Sequence, residues 1–90
     1  MKFNSNIKIK ECRKFKDRLL GLMFKKNIDY GIKIPNCNSI HTFFMFNEID
    51  IFMCDKDDNI LYTYYNVKPF RIIWPKKNIK TIYEIPIKNR

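Results

Sequence analysis

Ile49-Asp50-Ile51-Phe52-Met53-Cys54 and Ile60-Leu61-Tyr62-Thr63-Tyr64-Tyr65-Asn66-Val67, joined by Asp55-Lys56-Asp57-Asp58-Asn59, decide how this chain folds. Both runs are rich in β-branched and aromatic residues, which suit a pleated, half-buried surface. The joint is made of Asp, Asn and Lys, and Asp and Asn side chains readily hydrogen-bond the backbone in turns. Residues 49–67 are therefore expected to form an antiparallel β-hairpin.

The same reading extends outward. Residues 6–11 alternate, with Ile7 and Ile9 on one side and Lys8 and Lys10 on the other, the period of a half-buried strand. Residues 31–34, ending at Pro35, suit a short strand, and Asn36-Cys37-Asn38-Ser39 suits a loop. Residues 40–46 are apolar and aromatic and are expected to be a strand, with a turn or bend at Asn47-Glu48. Two more strands are expected at 71–74 and 79–85 around Pro75-Lys76-Lys77-Asn78, with Pro86 ending regular structure. One segment changes period. Cys12, Phe15, Leu19, Leu22 and Met23 recur at three- and four-residue steps opposite Lys14, Lys16, Asp17 and Arg18. That spacing predicts a helix of two to three turns closing at Gly21, too short to persist unless it docks on a sheet. The expected fold class is α+β and mostly β, a single domain over residues 1–90. It would be a small curled or barrel-like mixed or antiparallel sheet with one short N-terminal helix packed on it.

Composition limits the function classes. Aromatic residues make up 16% of the 90 residues and supply core volume that so short a chain otherwise lacks, at about 150–250 Å² each. The net charge of +9 invites a nucleic-acid partner. The plainer reading is solvated surface: lysine far exceeds arginine, alanine is absent, and Val67 is the one valine, the profile of an AT-rich coding sequence. Cys12, Cys37 and Cys54 form no Cys-x-x-Cys motif and are expected to be reduced thiols. Met1-Lys2-Phe3-Asn4-Ser5-Asn6 lacks the apolar run of a signal peptide, and the longest apolar stretch falls short of the ~20 residues of a membrane span. A soluble cytoplasmic protein without a membrane partner is the expectation.

Three segments carry a resemblance. Arg18-Leu19-Leu20-Gly21-Leu22-Met23-Phe24 is similar to an Arg-x-x-Gly-Leu-Met signature. Cys37-Asn38-Ser39-Ile40-His41-Thr42-Phe43-Phe44-Met45, followed by Ile49-Asp50-Ile51-Phe52 and Asp55, is similar to a Ser-Ile-His-Thr branch of the same family. Ile82-Tyr83-Glu84-Ile85-Pro86 resembles a closing Leu-Glu-Leu-Pro. In order and spacing, residues 7–87 resemble the bacterial and archaeal family called domain of unknown function 192. The chain departs from that pattern at Phe46, where a base is frequent, at Glu48, where proline is common, and at Asn59, where glycine is usual. The resemblance implies a small β-barrel-like domain with a packed helix and no established activity.

The residues that could carry chemistry cluster around the middle of the chain. His41 is the one histidine, the most versatile acid, base or ligand near neutral pH. It belongs equally to a core in which backbone groups satisfy it. Asp50 sits between Ile49 and Ile51, where an ionised carboxylate needs a partner. It could cap amides at the bend after Asn47, or pair with His41, Arg18 or a ligand. Because the strands bearing them are consecutive, His41 and Asp50 are expected near one another. Cys37 and His41 give Cys-x-x-x-His, to which Asp50 could add a third zinc ligand, but Cys12 and Cys54 lack supportive spacing, and no oxyanion element accompanies a Cys-His-Asp nucleophilic set. Asp55, Asp57 and Asp58 lack the glycine and terminal glutamate of a calcium loop. No metal or cofactor is expected. Tyr62, Tyr64 and Tyr65 with Lys68, Arg71, Trp74, Lys76 and Lys77 interleave rings with cations, as single-strand nucleic-acid platforms do, although strand aromatics are more often core. The leading expectation is a non-enzymatic binding or accessory domain for a small ligand or protein. Its pocket or interface would involve Cys37, Ser39, His41, Thr42 and Asp50, with Arg18 as a further candidate. A small hydrolase-like enzyme using His41, Asp50 and Cys37 is one alternative. A nucleic-acid binder using the basic aromatic C-terminal region is the other.

Overall fold

The computed structural model describes residues 8–12, 30–42 and 45–87. Seven strands follow one another: β1 (Lys8–Glu11), β2 (Tyr30–Pro35), β3 (Ile40–His41), β4 (Ile49–Cys54), β5 (Ile60–Val67), β6 (Ile72–Ile73) and β7 (Thr81–Pro86). Five of them form a mixed sheet in the order β1-β2-β7-β4-β5, and β3 and β6 form a separate ribbon.

The hairpin forms as its sequence dictates. β4 and β5 pair antiparallel, with Ile51 opposite Tyr64 and Met53 opposite Tyr62. Asp55 closes the turn with its carboxylate, which accepts the amides of Asp57 and Asn59, both at 2.9 Å. The residue between them, Asp58, takes a left-handed φ of 65°, which Asp tolerates better than most residues. The hydrogen bond from the Asn59 amide holds the Asp55 carboxyl below its ordinary pKa.

β7 and β4 run through the middle of the sheet, paired over six positions from Ile49–Pro86 to Cys54–Thr81. One face of these strands carries the apolar core, in which Ile32, Ile34, Ile49, Ile51, Met53, Val67 and Ile82 pack together. Ile40 and Ile73 of the ribbon pack against that cluster, so the ribbon covers the core side of the sheet. The opposite side is close-packed as well. A Cβ at Gly31 would run into the Cδ1 of Ile85 and lie 2.9 Å from that of Ile9, so glycine lets β1, β2 and β7 approach.

Several expectations change. Among the described residues there is no α-helix and the fold is mostly β, so the helix of the expected α+β class finds no support there. The helix expected over residues 12–21 falls outside the described residues except for Cys12, which is buried against the core. β1 and β2 run parallel, so the five-stranded sheet is mixed. The described strands close no barrel: β1 and β5 each pair with one neighbour only and remain edges. Of the strand expected over 40–46, the described part is Ile40–His41, and the Met45 amide turns back to the Thr42 carbonyl at 3.4 Å; residues 43 and 44 lie outside the described residues. The strand expected over 71–74 is Ile72–Ile73, and it pairs with β3, not with β7 across the Pro75–Asn78 turn. Prolines and a left-handed Phe70 (φ 63°) bracket β6 and keep it out of the main sheet. No helix of the described residues is long and apolar enough to cross a membrane.

Candidate functional site

The ribbon is too short to hold itself by ladder bonds, and Thr42 ties it down. Its Oγ1 donates to the Lys68 carbonyl at 2.7 Å and accepts the Arg71 amide at 2.8 Å. Its backbone amide donates to the Arg71 carbonyl at 2.9 Å, and its carbonyl accepts the Phe70 amide at 3.1 Å. Thr42 is fully buried, so it is a structural tether rather than a pocket group.

That tether presents an open hollow of about 360 Å³ on the ribbon. Ser39, Ile40 and His41 line it from β3, and Ile72, Ile73, Trp74 and Pro75 from β6. His41 is half-buried and is the one ionisable group among those lining residues. A second hollow of about 380 Å³ shares Ile72 and Ile73 but is lined otherwise by Asn66, Val67, Lys68 and Arg71. The first is apolar with an imidazole at its wall, and the second is cationic. A volume near the lower end of the ~300–1,000 Å³ of small-molecule sites suits one planar ring system.

The expected site residues separate. Ser39 and His41 meet in the apolar hollow. Cys37 stands beside them, but among the described residues its thiol makes its hydrogen bond to the Ser39 carbonyl at 3.0 Å, not to the imidazole. Asp50 lies in the other sheet, 2% exposed, where its Oδ1 accepts the Asn66 amide at 3.0 Å. That amide belongs to an irregularity of β5, where the register with β4 shifts between Ile49 and Ile51 and Asn66 takes a φ of 55°. Asp50 thus caps a bulge of its partner strand, and it lines neither hollow. Arg18 lies outside the described residues.

Two buried groups behave unlike their exposed counterparts. Burial raises the Cys54 thiol to about 11, with the Asp58 carboxylate adding to the effect, so Cys54 is a poor nucleophile at neutral pH. Burial alone pushes the Glu84 carboxyl up to about 8. Glu84 stands on β7 opposite Ile32 and Ile51, on the apolar side of the sheet. Tyr83, on the other side, donates its hydroxyl to Asp58 at 2.9 Å, and burial with that bond raises its pKa. Asp58 is therefore held by the fold, not offered to a cation.

Sequence reasoning named Trp74 in a basic aromatic platform but joined neither it nor Ile72 to the pocket around His41. Ile72 and Trp74 are 44% and 67% exposed, and Tyr62, Tyr65 and Phe70 are exposed with them, contrary to the expectation that the strand aromatics fill the core. One signal could have found them. Residues 59–83 contain no Asp or Glu and five Lys or Arg, an imbalance that a merely solvated surface does not need.

A family model, DUF192 (Uncharacterized ACR), matches residues 2–88. The UPF0127 protein TK1120 of Thermococcus kodakarensis is 31% identical over 86 residues, 89% of this chain and 54% of that protein. The chain therefore spans about half the length of the curated relative it matches. A Novosphingobium aromaticivorans protein of unknown function has a similar structure, with a TM-score of 0.77 and 16% identity over 89% of this chain and 63% of that one. A Sinorhizobium meliloti protein described as a candidate transcription regulator gives 0.75 and 16% over 87% of this chain and 67% of that one. At such identities the two structures share a fold with this chain.

Proposed function

The chain belongs to the DUF192 family, and on that premise we propose that it is a non-catalytic binding domain whose ligand seats on the β3–β6 ribbon. The observation that carries this reading is the apolar hollow walled by His41, Ile72 and Trp74. Exposing Ile72 and Trp74 to water is unfavourable, and in a chain this small such a patch marks a place where something docks. The chemistry of the walls supports binding over turnover. Cys37 spends its hydrogen bond on a neighbouring carbonyl, and Asp50 accepts an amide in the main sheet, so among the described residues neither is paired with His41 in the hollow by these bonds. His41 supplies one polar contact in an apolar cup, which orients a ligand rather than transforms it.

Trp74 is the one tryptophan, so its fluorescence reports on the hollow directly. Titration with naphthalene-2-sulfonate, a planar anion, is expected to quench it saturably. Ile72→Asn is expected to raise the midpoint at least tenfold, and His41→Ala to raise it by less. Quenching that is linear in probe, or saturable but unchanged in Ile72→Asn, would refute a ligand seat here.

A further inference from the structure

We infer that the surface bearing Tyr62 and Trp74 among Lys68, Arg71 and Lys76 is a docking surface for single-stranded nucleic acid. This inference rests on the ligand seat above and names its occupant. Two independent features converge on it. The first is the exposure of the rings: two thirds of the Trp74 surface faces solvent, and Tyr62 is exposed with it. A base stacks on such a ring whatever its identity, because every base presents a π-face. The second is charge. From residue 59 to residue 83 the chain carries five cations and no acid, so the whole segment from β5 through β6 to the start of β7 is complementary to a polyanion.

The fold brings the two features into one surface. The Lys76 ammonium lies 5.8 Å from the centre of the Tyr62 ring, which joins the exit of the ribbon to the β5 edge. Lys68 and Arg71 line the cationic hollow, which shares Ile72 and Ile73 with the apolar one. A strand crossing β6 would therefore have phosphate-sized positive sites on one side and a ring-lined cup on the other. A duplex, whose bases are already stacked on one another, could use the cations but not the rings. An anionic membrane would meet the same cations but brings no planar group to fill the cup walled by His41 and Trp74.

Fluorescence anisotropy of a labelled dodecathymidylate tests this with the intact chain. Binding at 50 mM salt is expected, with a duplex of the same length at least tenfold weaker. Trp74→Ala should weaken binding by about tenfold or more, the size of one base–aromatic stack, and Trp74→Tyr should restore most of it. Changing Lys68, Arg71 and Lys76 together to Gln should lower the slope of log affinity against log salt by about 2, at roughly 0.7 per phosphate. Circular dichroism checks that each variant keeps the fold of the parent. Equal affinity for duplex, or an affinity indifferent to Trp74→Ala, would overturn the assignment. So would binding to phosphatidylserine vesicles by a chain that ignores the oligonucleotide. If naphthalene-2-sulfonate still quenches Trp74 while the oligonucleotide does not bind, the ligand seat stands and its nucleic-acid occupant falls. If both fail, both readings fall.

Discussion

Thr42 carries neither charge nor reactivity, yet its hydroxyl holds two loop backbones at once, donating to Lys68 and accepting from Arg71. Thr42→Val keeps the shape of the side chain and removes both bonds. It leaves a carbonyl and an amide without their partner in a site that water enters poorly. Such groups cost about 1–3 kcal/mol each when left unpaired, so Thr42→Val is expected to lose roughly 2 kcal/mol in urea denaturation. Thr42→Ser retains the hydroxyl and should lose well under half of that. A valine variant as stable as the parent would show that the ribbon is held by its apolar contacts through Ile40 and Ile73 instead. Asp50 works by the same logic from the other sheet. Removing its carboxylate leaves the Asn66 amide of the bulge unpartnered by Oδ1. Asp50→Ala should therefore cost about 1–3 kcal/mol, while Asp50→Asn, which keeps an acceptor oxygen, should cost less. Equal losses from alanine and asparagine would mean that the charge, and not the hydrogen bond, is what this position needs.

At the scale of elements, the legible parts were those that a local pattern specifies. The hairpin was readable because two β-prone runs flank a turn whose Asp55 carboxylate staples its own amides. β1, β2 and β7 were readable for the related reason that alternation and proline mark their ends. Partnership was not readable, since it depends on contacts distant in sequence. β2 finds β7, and β3 finds β6, across loops whose closure no local rule encodes. His41 and Asp50 sit on consecutive strands, but those strands belong to different sheets, which sequence adjacency does not reveal. The two sheet edges also differ. β1 exposes Lys8, Lys10 and Glu11, charges that discourage another strand from pairing, whereas residues 60–67 carry no charge and expose Ile60, Leu61 and Tyr65. An uncharged edge is open to a partner. A lysine at Leu61 is expected to reduce any self-association seen by analytical ultracentrifugation, while Glu11→Leu on the other edge should promote it. No change in either variant would argue that the edges are already protected by the shape of the sheet.

The whole molecule keeps a carboxyl where it costs most when charged. Glu84 is 4% exposed on the central strand β7, in a row with Ile32 and Ile51 that belongs to the apolar core. Burial moves its pKa from an ordinary 4.5 to about 8, so near neutral pH the folded chain holds a proton that the unfolded chain has released. The sign follows from proton counting. A state that binds more protons gains relative stability as pH falls, and here that state is the folded one. Stability is therefore expected to be highest at and below about pH 4.5 as far as Glu84 is concerned, to fall between there and pH 8, and to level off above. This runs opposite to the Asp55 carboxyl, whose lowered pKa makes its contribution present above the unfolded value and lost on acidification. The two opposing trends place the optimum on the mildly acidic side of neutrality. At about 1.4 kcal/mol per pKa unit, the full Glu84 excursion is on the order of 4–5 kcal/mol, a large share of the stability of a small domain. Glu84→Gln keeps size and polarity without the titration. Its melting temperature should be nearly constant from pH 5 to pH 8, and it should exceed the parent's at pH 8 by several degrees. If the glutamine variant instead followed the same decline with pH as the parent, the titrating group would be elsewhere, and Glu84 would be charged and compensated within the fold.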